Sequence, residues 1–197
     1  MTKIYDAAYF QRWYRRGAVA DTRRLARKVA LAVATAEYHL ERPLRSVLDI
    51  GCGEGAWRAP LRKLRPDVRY LGFDSSEYAV ARYGRRRTIH HARFADFALL
   101  RPCPPVDLLV CSDVLHYLAA RELDRGLPGL AELCDGVAFI EAFTREDAAD
   151  GDEDGFQNRP AAFYRKRLAG VGFRHIGSHC WLAPSRIEQA AALELCG

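Results

Sequence analysis

The feature of this sequence that most constrains its fold is an alternation of short apolar segments with amphipathic ones. The apolar segments have the length and composition of strands and occupy residues 46–50, 68–74, 88–94, 106–113 and 137–143. Segments with helical apolar spacing separate or flank them, at residues 21–41, 56–64, 76–84, 120–134 and 161–173. Pro and Gly within 120–134 predict that this helix is broken. Such alternation predicts a parallel sheet with helices on both faces, which binds ligands at the carboxyl ends of its strands.

The end of the chain decides how many strands the sheet has. Residues 173–182 predict a sixth strand, and the tail at 184–197 is compatible with a helix or with a last strand. We therefore predict an α/β, doubly wound, mostly parallel sheet of seven strands, or of six if the tail is helical. A chain of 197 residues, 49% of them apolar, suits one domain over residues 1–197.

Composition restricts the compartment and the partners. No apolar run has the length of a membrane span, and the first residues lack the apolar core of a signal peptide. The six cysteines are scattered without a CxxC pair, which predicts reduced thiols, a cytoplasmic location and no metal site. The net charge of +5 includes arginine clusters at 23–28 and 85–87, which attract nucleic acid or an anionic substrate, or form a solvated surface. Acidic runs offset much of this charge and disfavour nucleic acid.

The stretch VLDIGCGEGAW, residues 47–57, places glycines at alternate positions just after a predicted strand. Glycine lets a ligand pack against the main chain, and Gly51, Gly53 and Ala56 satisfy the dinucleotide fingerprint. Asp49, however, would lie near the pyrophosphate of NAD. A carboxylate suits a ligand with an ammonium group and no phosphate, and S-adenosylmethionine is such a ligand.

Four motifs in order strengthen this interpretation. They are LDIGCGEG at 48–55, GFD at 72–74, FADF at 94–97 and VDLLVCSDVLHYL at 106–118. Over roughly residues 44–180 the chain resembles the class I, Rossmann-like, S-adenosylmethionine-dependent methyltransferases of the small-molecule type. The resemblance implies a Rossmann-like core at 44–197 and S-adenosylmethionine as the cofactor.

The resemblance places one group of residues at the methionine and ribose end of the cofactor. It implies that Asp49 lies near the methionine amino group and that Asp74 accepts both ribose hydroxyls. The residues expected to bind this end are Asp49, Gly51, Cys52, Gly53, Gly55, Asp74 and Ser75. The alternatives are that Asp74 caps the helix beginning at Ser76 and that the glycines serve only a tight turn.

A second group is expected at the adenine and the sulfur. The resemblance implies that Asp96 accepts from the adenine amino group, with Ala95 and Phe97 beside the ring. It implies that Cys111 and Ser112 face the methyl-bearing sulfur from the fourth strand. The alternative for Asp96 is an ordinary turn.

Methyl transfer from a sulfonium needs a base only if the acceptor must lose a proton. His116 is the leading candidate because it follows the fourth strand and histidine titrates near neutrality. Its alternative is a histidine that packs or caps, and Glu141 and Tyr117 are further candidates. Asp113 either caps the next helix or contacts the ligand, whereas Asp107 is expected to be structural.

The N-terminal segment is rich in aromatic residues, namely Tyr5, Tyr9, Phe10, Trp13 and Tyr14. In the family a preceding segment often folds over the cofactor, so residues 1–43 are expected to form a helical lid. Trp13 or Tyr14 would close on the methionine end or on the acceptor, and the alternative is that these rings only pack on the helices. The loop at 144–160 is expected to share the acceptor side.

These observations predict a methyltransferase (EC 2.1.1.-) that acts on a small-molecule acceptor. The alternatives are an NAD-dependent oxidoreductase, a cofactor- or partner-binding module without catalysis, and an RNA or protein methyltransferase. The chain lacks the Asn-Pro-Pro-Tyr type of motif that methyltransferases use on exocyclic amines, since its fourth predicted strand ends in CSDV. The motifs leave the methylated atom and the oligomeric state open.

Overall fold

The computed structural model describes residues 6–16, 21–147, 152 and 154–196, and its centre is a seven-stranded sheet. The strands are β1 (Ser46–Ile50), β2 (Arg69–Asp74), β3 (Ile89–His91), β4 (Val106–Ser112), β5 (Cys134–Glu141), β6 (Arg174–Gly177) and β7 (Cys180–Leu182). Their spatial order is β3-β2-β1-β4-β5-β7-β6. All neighbours from β3 to β5 pair in parallel, and β7 is antiparallel to both β5 and β6. The predicted mostly parallel sheet of seven strands is confirmed.

The strand order reverses at β1, which lies between β2 and β4. Chain connections leave this point in opposite directions, so a crevice opens at the carboxyl ends of β1 and β4. The segment that follows β1 is the glycine stretch. The candidate site therefore lies where the topology of the sheet predicts it.

Helices cover both faces of the sheet. The helices of the described residues are α1 (Ala7–Arg16), α2 (Thr22–Leu40), α3 (Arg58–Leu64), α4 (Glu77–Arg87), α5 (Ala120–Glu132) and α6 (Ala161–Gly170). On one face α2 and α3 pack in a core with inward residues of β1, β4 and β5. On the other face α5 and α6 pack in a second core. Among the described residues, no helix is long and apolar enough to cross a membrane.

Helix α2 is part of the permanent core. Asp21 caps it by accepting from the amides of Arg23 and Arg24 at 3.0 Å, as predicted. Its apolar stripe is buried against the sheet, namely Val29, Ala32, Val33, Ala36 and Leu40. The lid prediction for residues 1–43 is therefore wrong for this helix, because lifting it would expose the core on this face of the sheet.

Two ion pairs fix the direction of α2 relative to the sheet. Near its N-terminus Lys28 contacts Glu141, at the carboxyl end of β5. Beyond its C-terminus Arg42 makes a bidentate contact with Asp107, near the amino end of β4. Helix α2 therefore runs opposite to the strands, and its N-terminus lies at the edge that carries the candidate site. Asp107 has the structural role expected of it.

The third and sixth predicted strands differ from those observed. β3 stops at His91, and residues 94–98 form a 3-10 turn. The predicted strand at 173–182 is a hairpin of β6 and β7, which turns at Ser178 and His179 with φ of 48° and 65°. Gly177 precedes these two positions with φ of 93°, but serine and histidine do not favour such angles, so the hairpin has only a weak local signal. The tail contains the 3-10 turns Pro184–Gln189 and Ala192–Glu194 instead of a helix or strand.

Helix α5 is continuous through Pro128, whereas a broken helix was predicted. Its glycines serve close packing against the 3-10 turn at 94–98. A Cβ on Gly126 would lie 2.5 Å from the Phe94 carbonyl oxygen, and one on Gly129 would lie 1.8 Å from that of Phe97. Glycine in this helix therefore lets another backbone approach and does not end the helix.

Candidate active site at the carboxyl edge of the sheet

The turn after β1 depends on its glycines. Gly51, Gly53 and Gly55 have φ of 69°, 54° and 73°, in the left-handed region that other residues rarely adopt. The amides of Gly51 and Cys52 both donate to the carbonyl oxygen of Phe73, at 2.8 and 3.0 Å, and so tie the turn to β2. A Cβ on Gly51 would lie 2.3 Å from Cγ2 of Val114. Bare backbone is thus required both by the fold of the turn and by its contact with the segment after β4.

Asp49 lies on β1 immediately before this turn and is only 2% exposed. Its Oδ2 atom accepts from the hydroxyl of Tyr70 at 2.7 Å. Burial raises the pKa of Asp49 to about 7, the Tyr70 hydrogen bond opposes this rise, and the charge of Asp74 adds to it. A ligand ammonium placed here would favour the carboxylate form. The position therefore fits the amino group expected from the sequence.

Asp74, at the end of β2, ties two backbone segments together. Its Oδ2 accepts from the Gly53 amide at 2.7 Å and its Oδ1 from the Ser76 amide at 2.8 Å. Burial raises the pKa of Asp74 although both backbone donors oppose the rise. Each oxygen keeps a lone pair for a ribose hydroxyl. The helix cap is Ser76, which accepts from the Ala79 amide, and the neighbouring Ser75 is exposed.

The three residues expected at the adenine differ in their exposure. Ala95 is partly exposed and Asp96 is exposed. Asp96 accepts from the Arg93 amide through Oδ2, which leaves Oδ1 for a ligand. Phe97 is 0% exposed and packs edge-to-face on Phe73 in the core. Its expected place beside the adenine is therefore wrong in this conformation, because the ring has no surface to offer.

At the end of β4, the two residues expected to face the sulfur also differ in their exposure. Cys111 is fully buried in the core and has no free surface, which contradicts its expected contact with the sulfur. Ser112 is partly exposed and donates to Oε2 of Glu141 at 2.6 Å. Glu141 also contacts Lys28 at 2.6 Å. Burial raises the pKa of Glu141, but the hydrogen bonds from Lys28 and Ser112 outweigh it and hold that pKa below its usual value.

His116 is 1% exposed and has partners on both sides of its ring. Nδ1 lies 3.2 Å from the Phe143 amide, which can only donate, and Nε2 lies 3.2 Å from Oδ1 of Asp113. The rings of Tyr117, Phe143 and Phe156 surround it at centroid distances of 4.2, 5.5 and 5.5 Å. This geometry leaves no lone pair for a substrate proton and does not fit the predicted general base.

Asp113 leaves β4 with φ of 66°, which is uncommon for a residue other than glycine. Its side chain is 44% exposed. Strained residues of this kind often mark functional sites, and this one lies at the carboxyl edge between the glycine turn and β5.

Three residues of this region were not identified from the sequence. Tyr70 contacts Asp49 across two strands, Val114 fills the space above Gly51, and Lys28 reaches Glu141 across 113 positions of the chain. Each contact depends on tertiary packing; Val114 lies within the fourth motif, but that motif does not determine its contact with Gly51. The side chains of Trp13 and Tyr14, expected in a lid, lie outside the described part of the structure.

Comparisons with known proteins agree with this geometry. A family model of a methyltransferase domain matches residues 48–136. Methyltransferase str2 of Strobilurus tenacellus is 29% identical over 143 residues, which are 68% of this chain and 49% of that protein. Trans-aconitate 2-methyltransferase of Methylobacterium nodulans is 39% identical over 83 residues, which are 42% of this chain and 32% of that protein. The matches thus span half or less of these relatives.

Solved structures share the fold at low sequence identity. Magnesium protoporphyrin IX methyltransferase of Synechocystis, with bound S-adenosylhomocysteine, superposes with a TM-score of 0.62 at 22% identity over 86% of each chain. These similarities confirm the predicted methyltransferase fold and support S-adenosylmethionine as the cofactor. The chain therefore has the class I, Rossmann-like methyltransferase fold, and its residues 48–136 match the family model of a methyltransferase domain.

Proposed function

We propose that this protein transfers the methyl group of S-adenosylmethionine to a small-molecule acceptor. The observation that carries the proposal is the left-handed glycine turn held between two buried carboxylates, Asp49 and Asp74. When bound, the cofactor supplies a methyl group on a sulfonium, a good leaving group. Asp49 receives its amino group, Asp74 its ribose hydroxyls and Asp96 its adenine amino group. The chain then contributes binding, orientation and exclusion of water.

The acceptor belongs at the carboxyl ends of β4 and β5, on the far side of the glycine turn from β2. The polar groups there are largely committed to one another. Ser112 donates to Glu141, Glu141 is paired with Lys28, and His116 is engaged at both nitrogens. We therefore assign His116 a positioning role and place no general base at this end.

A carboxylate is the acceptor that suits such a site best. It is ionised at neutral pH, so its oxygen attacks without prior loss of a proton. Exposed Arg23, Arg24 and Arg27 precede Lys28 on the end of α2 that lies at this edge, and they favour an anion over a cation. The name of one relative, trans-aconitate 2-methyltransferase, refers to an acid.

Helix α1 and the residues before it are proposed to cover the bound cofactor. The aromatic content of residues 5–14 supports this, since such rings exclude water. Deletion of residues 1–14 is then expected to lower turnover more than cofactor affinity, because a lid acts mainly on the chemical step. Affinity lost with normal turnover at saturation would contradict the lid.

Calorimetry tests the cofactor. S-adenosylhomocysteine is expected to bind in the micromolar range and NAD not to bind. NAD binding alone would support the oxidoreductase alternative. Binding of S-adenosylhomocysteine without turnover on any acceptor would favour the non-catalytic module.

A radiolabel experiment tests the acceptor class. The protein is incubated with methyl-labelled S-adenosylmethionine and panels of carboxylic acids, phenols, amines and short RNAs. A carboxylate acceptor yields a methyl ester, which releases labelled methanol under mild base, whereas methyl ethers and methylamines keep the label. Base-stable product would overturn the carboxylate proposal, and labelled RNA would favour the nucleic acid alternative.

A further inference from the structure

Tyr70 reaches the cofactor end of the sheet from within it. The residue is the second of β2 and is 6% exposed. In the register of the sheet Tyr70 pairs with Val47, and Gly72 pairs with Asp49. Residues two apart in a strand share a face, so the Tyr70 side chain must pass Gly72 to meet Asp49 on the neighbouring strand. The observed distance from its hydroxyl to Oδ2 of Asp49 is 2.7 Å.

Two glycines border the space that this hydroxyl occupies. A Cβ on Gly72 would lie 3.1 Å from the Tyr70 hydroxyl oxygen and 2.8 Å from Sγ of Cys52. A Cβ on Gly55, the last glycine of the turn, would lie 3.4 Å from the same oxygen. The Tyr70 hydroxyl thus lies next to the glycine turn, in a space that a side chain at Gly72 would crowd and that a Cβ at Gly55 would only touch.

Packing alone does not account for a tyrosine here. A phenylalanine would fill the same apolar space, and the buried hydroxyl carries a desolvation cost that only a partner offsets. That partner is Asp49, whose own burial calls for a donor. The Tyr70–Asp49 hydrogen bond therefore lies where the cofactor's amino group is proposed to bind, and apolar packing does not explain it.

We infer that Tyr70 is a positioning residue for the cofactor, because its hydroxyl fixes the orientation of Asp49 and stabilises its carboxylate form toward the ligand's amino group. The inference rests on the proposed function and adds a residue that belongs to none of the four sequence motifs. Tyr70 does not touch the cofactor in this account and acts only through Asp49.

The charged and titratable groups around Asp49 come from three elements. Tyr70 and Asp74 face it from β2, Cys52 from the glycine turn and Cys111 from β4. Burial raises the pKa of both thiols, so they stay neutral and add no charge beside Asp49, and the Cys52 thiol donates to the Gly53 carbonyl oxygen. The Asp74 charge opposes ionisation of Asp49, and only Tyr70 among these groups favours it. Loss of the hydroxyl should therefore raise the pKa of Asp49 further.

Tyr70→Phe tests the inference with two ligands. S-adenosylhomocysteine carries the amino acid part, and 5′-methylthioadenosine lacks it. At pH 7 the variant should bind S-adenosylhomocysteine about tenfold more weakly, the loss of one hydrogen bond to a charged group. Its affinity for methylthioadenosine should change by less than about twofold, because that ligand has no amino group for Asp49. The tenfold loss should shrink as the pH rises from 7 to 8, because a larger share of Asp49 is then ionised in both proteins.

Control variants separate positioning from structure. Tyr164→Phe removes a hydroxyl from an equally buried tyrosine on α6 and should leave both affinities unchanged. In an Asp49→Asn background, Tyr70→Phe should have no further effect on S-adenosylhomocysteine. Thermal melts establish that each variant is folded. If Tyr70→Phe folds poorly, Gly72→Ala takes its place with and without Asp49→Asn, because its Cβ should displace the Tyr70 hydroxyl.

The outcomes are distinguishable. Unchanged binding of S-adenosylhomocysteine by folded Tyr70→Phe, or equal weakening of both ligands, would overturn the role of Tyr70 alone. Failure of the unsubstituted protein to bind either ligand would overturn the proposed function and this inference with it.

Discussion

Nε2 of His116 lies 3.2 Å from Oδ1 of Asp113, while Nδ1 of the same ring faces the backbone amide of Phe143. Since the amide can only donate, Nδ1 accepts and the ring proton is on Nε2, directed at the Asp113 carboxylate. The histidine thereby joins the exit of β4 to the residues that follow β5. The amide of Gln157 also donates to its carbonyl oxygen at 2.8 Å, so a third segment is held in the same place.

Replacement of His116 by alanine should therefore affect stability more than chemistry. We expect the free energy of unfolding to fall by about 2–4 kcal/mol, from the cavity and the unpaired Phe143 amide. Turnover per folded molecule should fall by less than about tenfold, whereas loss of a general base costs about 10²–10⁴. Denaturant unfolding and initial rates measure the two effects. His90→Ala, at an exposed position of β3, is the control. A rate loss of about 10² in His116→Ala at unchanged stability would instead support His116 as the general base.

Gly51→Ala should damage the turn in two separable ways. The residue has φ of 69°, and a Cβ would lie 2.3 Å from Cγ2 of Val114. We expect a loss of about 1–3 kcal/mol in stability and at least a tenfold loss of S-adenosylhomocysteine affinity. Val114→Ala in the same chain should recover part of the stability by removing the contact, while the backbone strain remains.

The comparison for this variant is Gly170→Ala. Nothing lies within 4 Å of a Cβ at Gly170, at the end of α6, and that substitution should be neutral or slightly stabilising. Stability and S-adenosylhomocysteine affinity are measured for the unsubstituted protein, Gly51→Ala, the double variant with Val114→Ala, and Gly170→Ala. If the double variant is no more stable than Gly51→Ala, contact with Val114 is not the reason that residue 51 must be glycine.

Local physics made much of this fold predictable. The Asp21 cap and the glycine turn depend on the conformational preferences of single residues, and the parallel sheet follows from alternating helical and strand periods. Phe97 was misplaced because its motif sets its position in sequence but not the face on which its ring packs. The Tyr70–Asp49 contact depends on the register between β1 and β2, and the Lys28–Glu141 pair on how α2 docks. Neither register nor docking has a local signal in the chain.

Asp74 should respond differently to two substitutions. Alanine would leave the amides of Gly53 and Ser76 without their acceptor, at a cost of about 2–4 kcal/mol in stability besides the loss of cofactor binding. Asparagine keeps one acceptor oxygen, so Asp74→Asn should retain more of the stability while its affinity for S-adenosylhomocysteine falls. Thermal melts and calorimetry test this. Stability of Asp74→Ala equal to that of the unsubstituted protein would show that these backbone contacts contribute nothing.

The last prediction concerns pH and Asp49. Burial raises the pKa of this carboxyl to about 7 in the folded protein, from an ordinary value of about 3.9 in the unfolded chain. Between those pH values the folded state keeps a proton that the unfolded chain has released. Protonation of Asp49 thus favours the fold at low pH, and stability is lost as the pH rises toward 7. Above pH 7 the cofactor-free fold must hold a buried charge.

Asp49→Asn removes this titration while leaving an oxygen that can accept from Tyr70. The other titrating groups are shared by both proteins, so their contributions cancel in the difference between them. We expect the stability of Asp49→Asn relative to the unsubstituted protein to rise by about 2 kcal/mol between pH 5 and pH 8. Denaturant unfolding at the two pH values without cofactor measures it. The same variant should bind S-adenosylhomocysteine more weakly at pH 8, because it lacks the charge that the amino group requires. A difference in stability that is equal at pH 5 and pH 8 would mean that Asp49 titrates alike in the folded and unfolded states, and that its burial does not alter its ionisation.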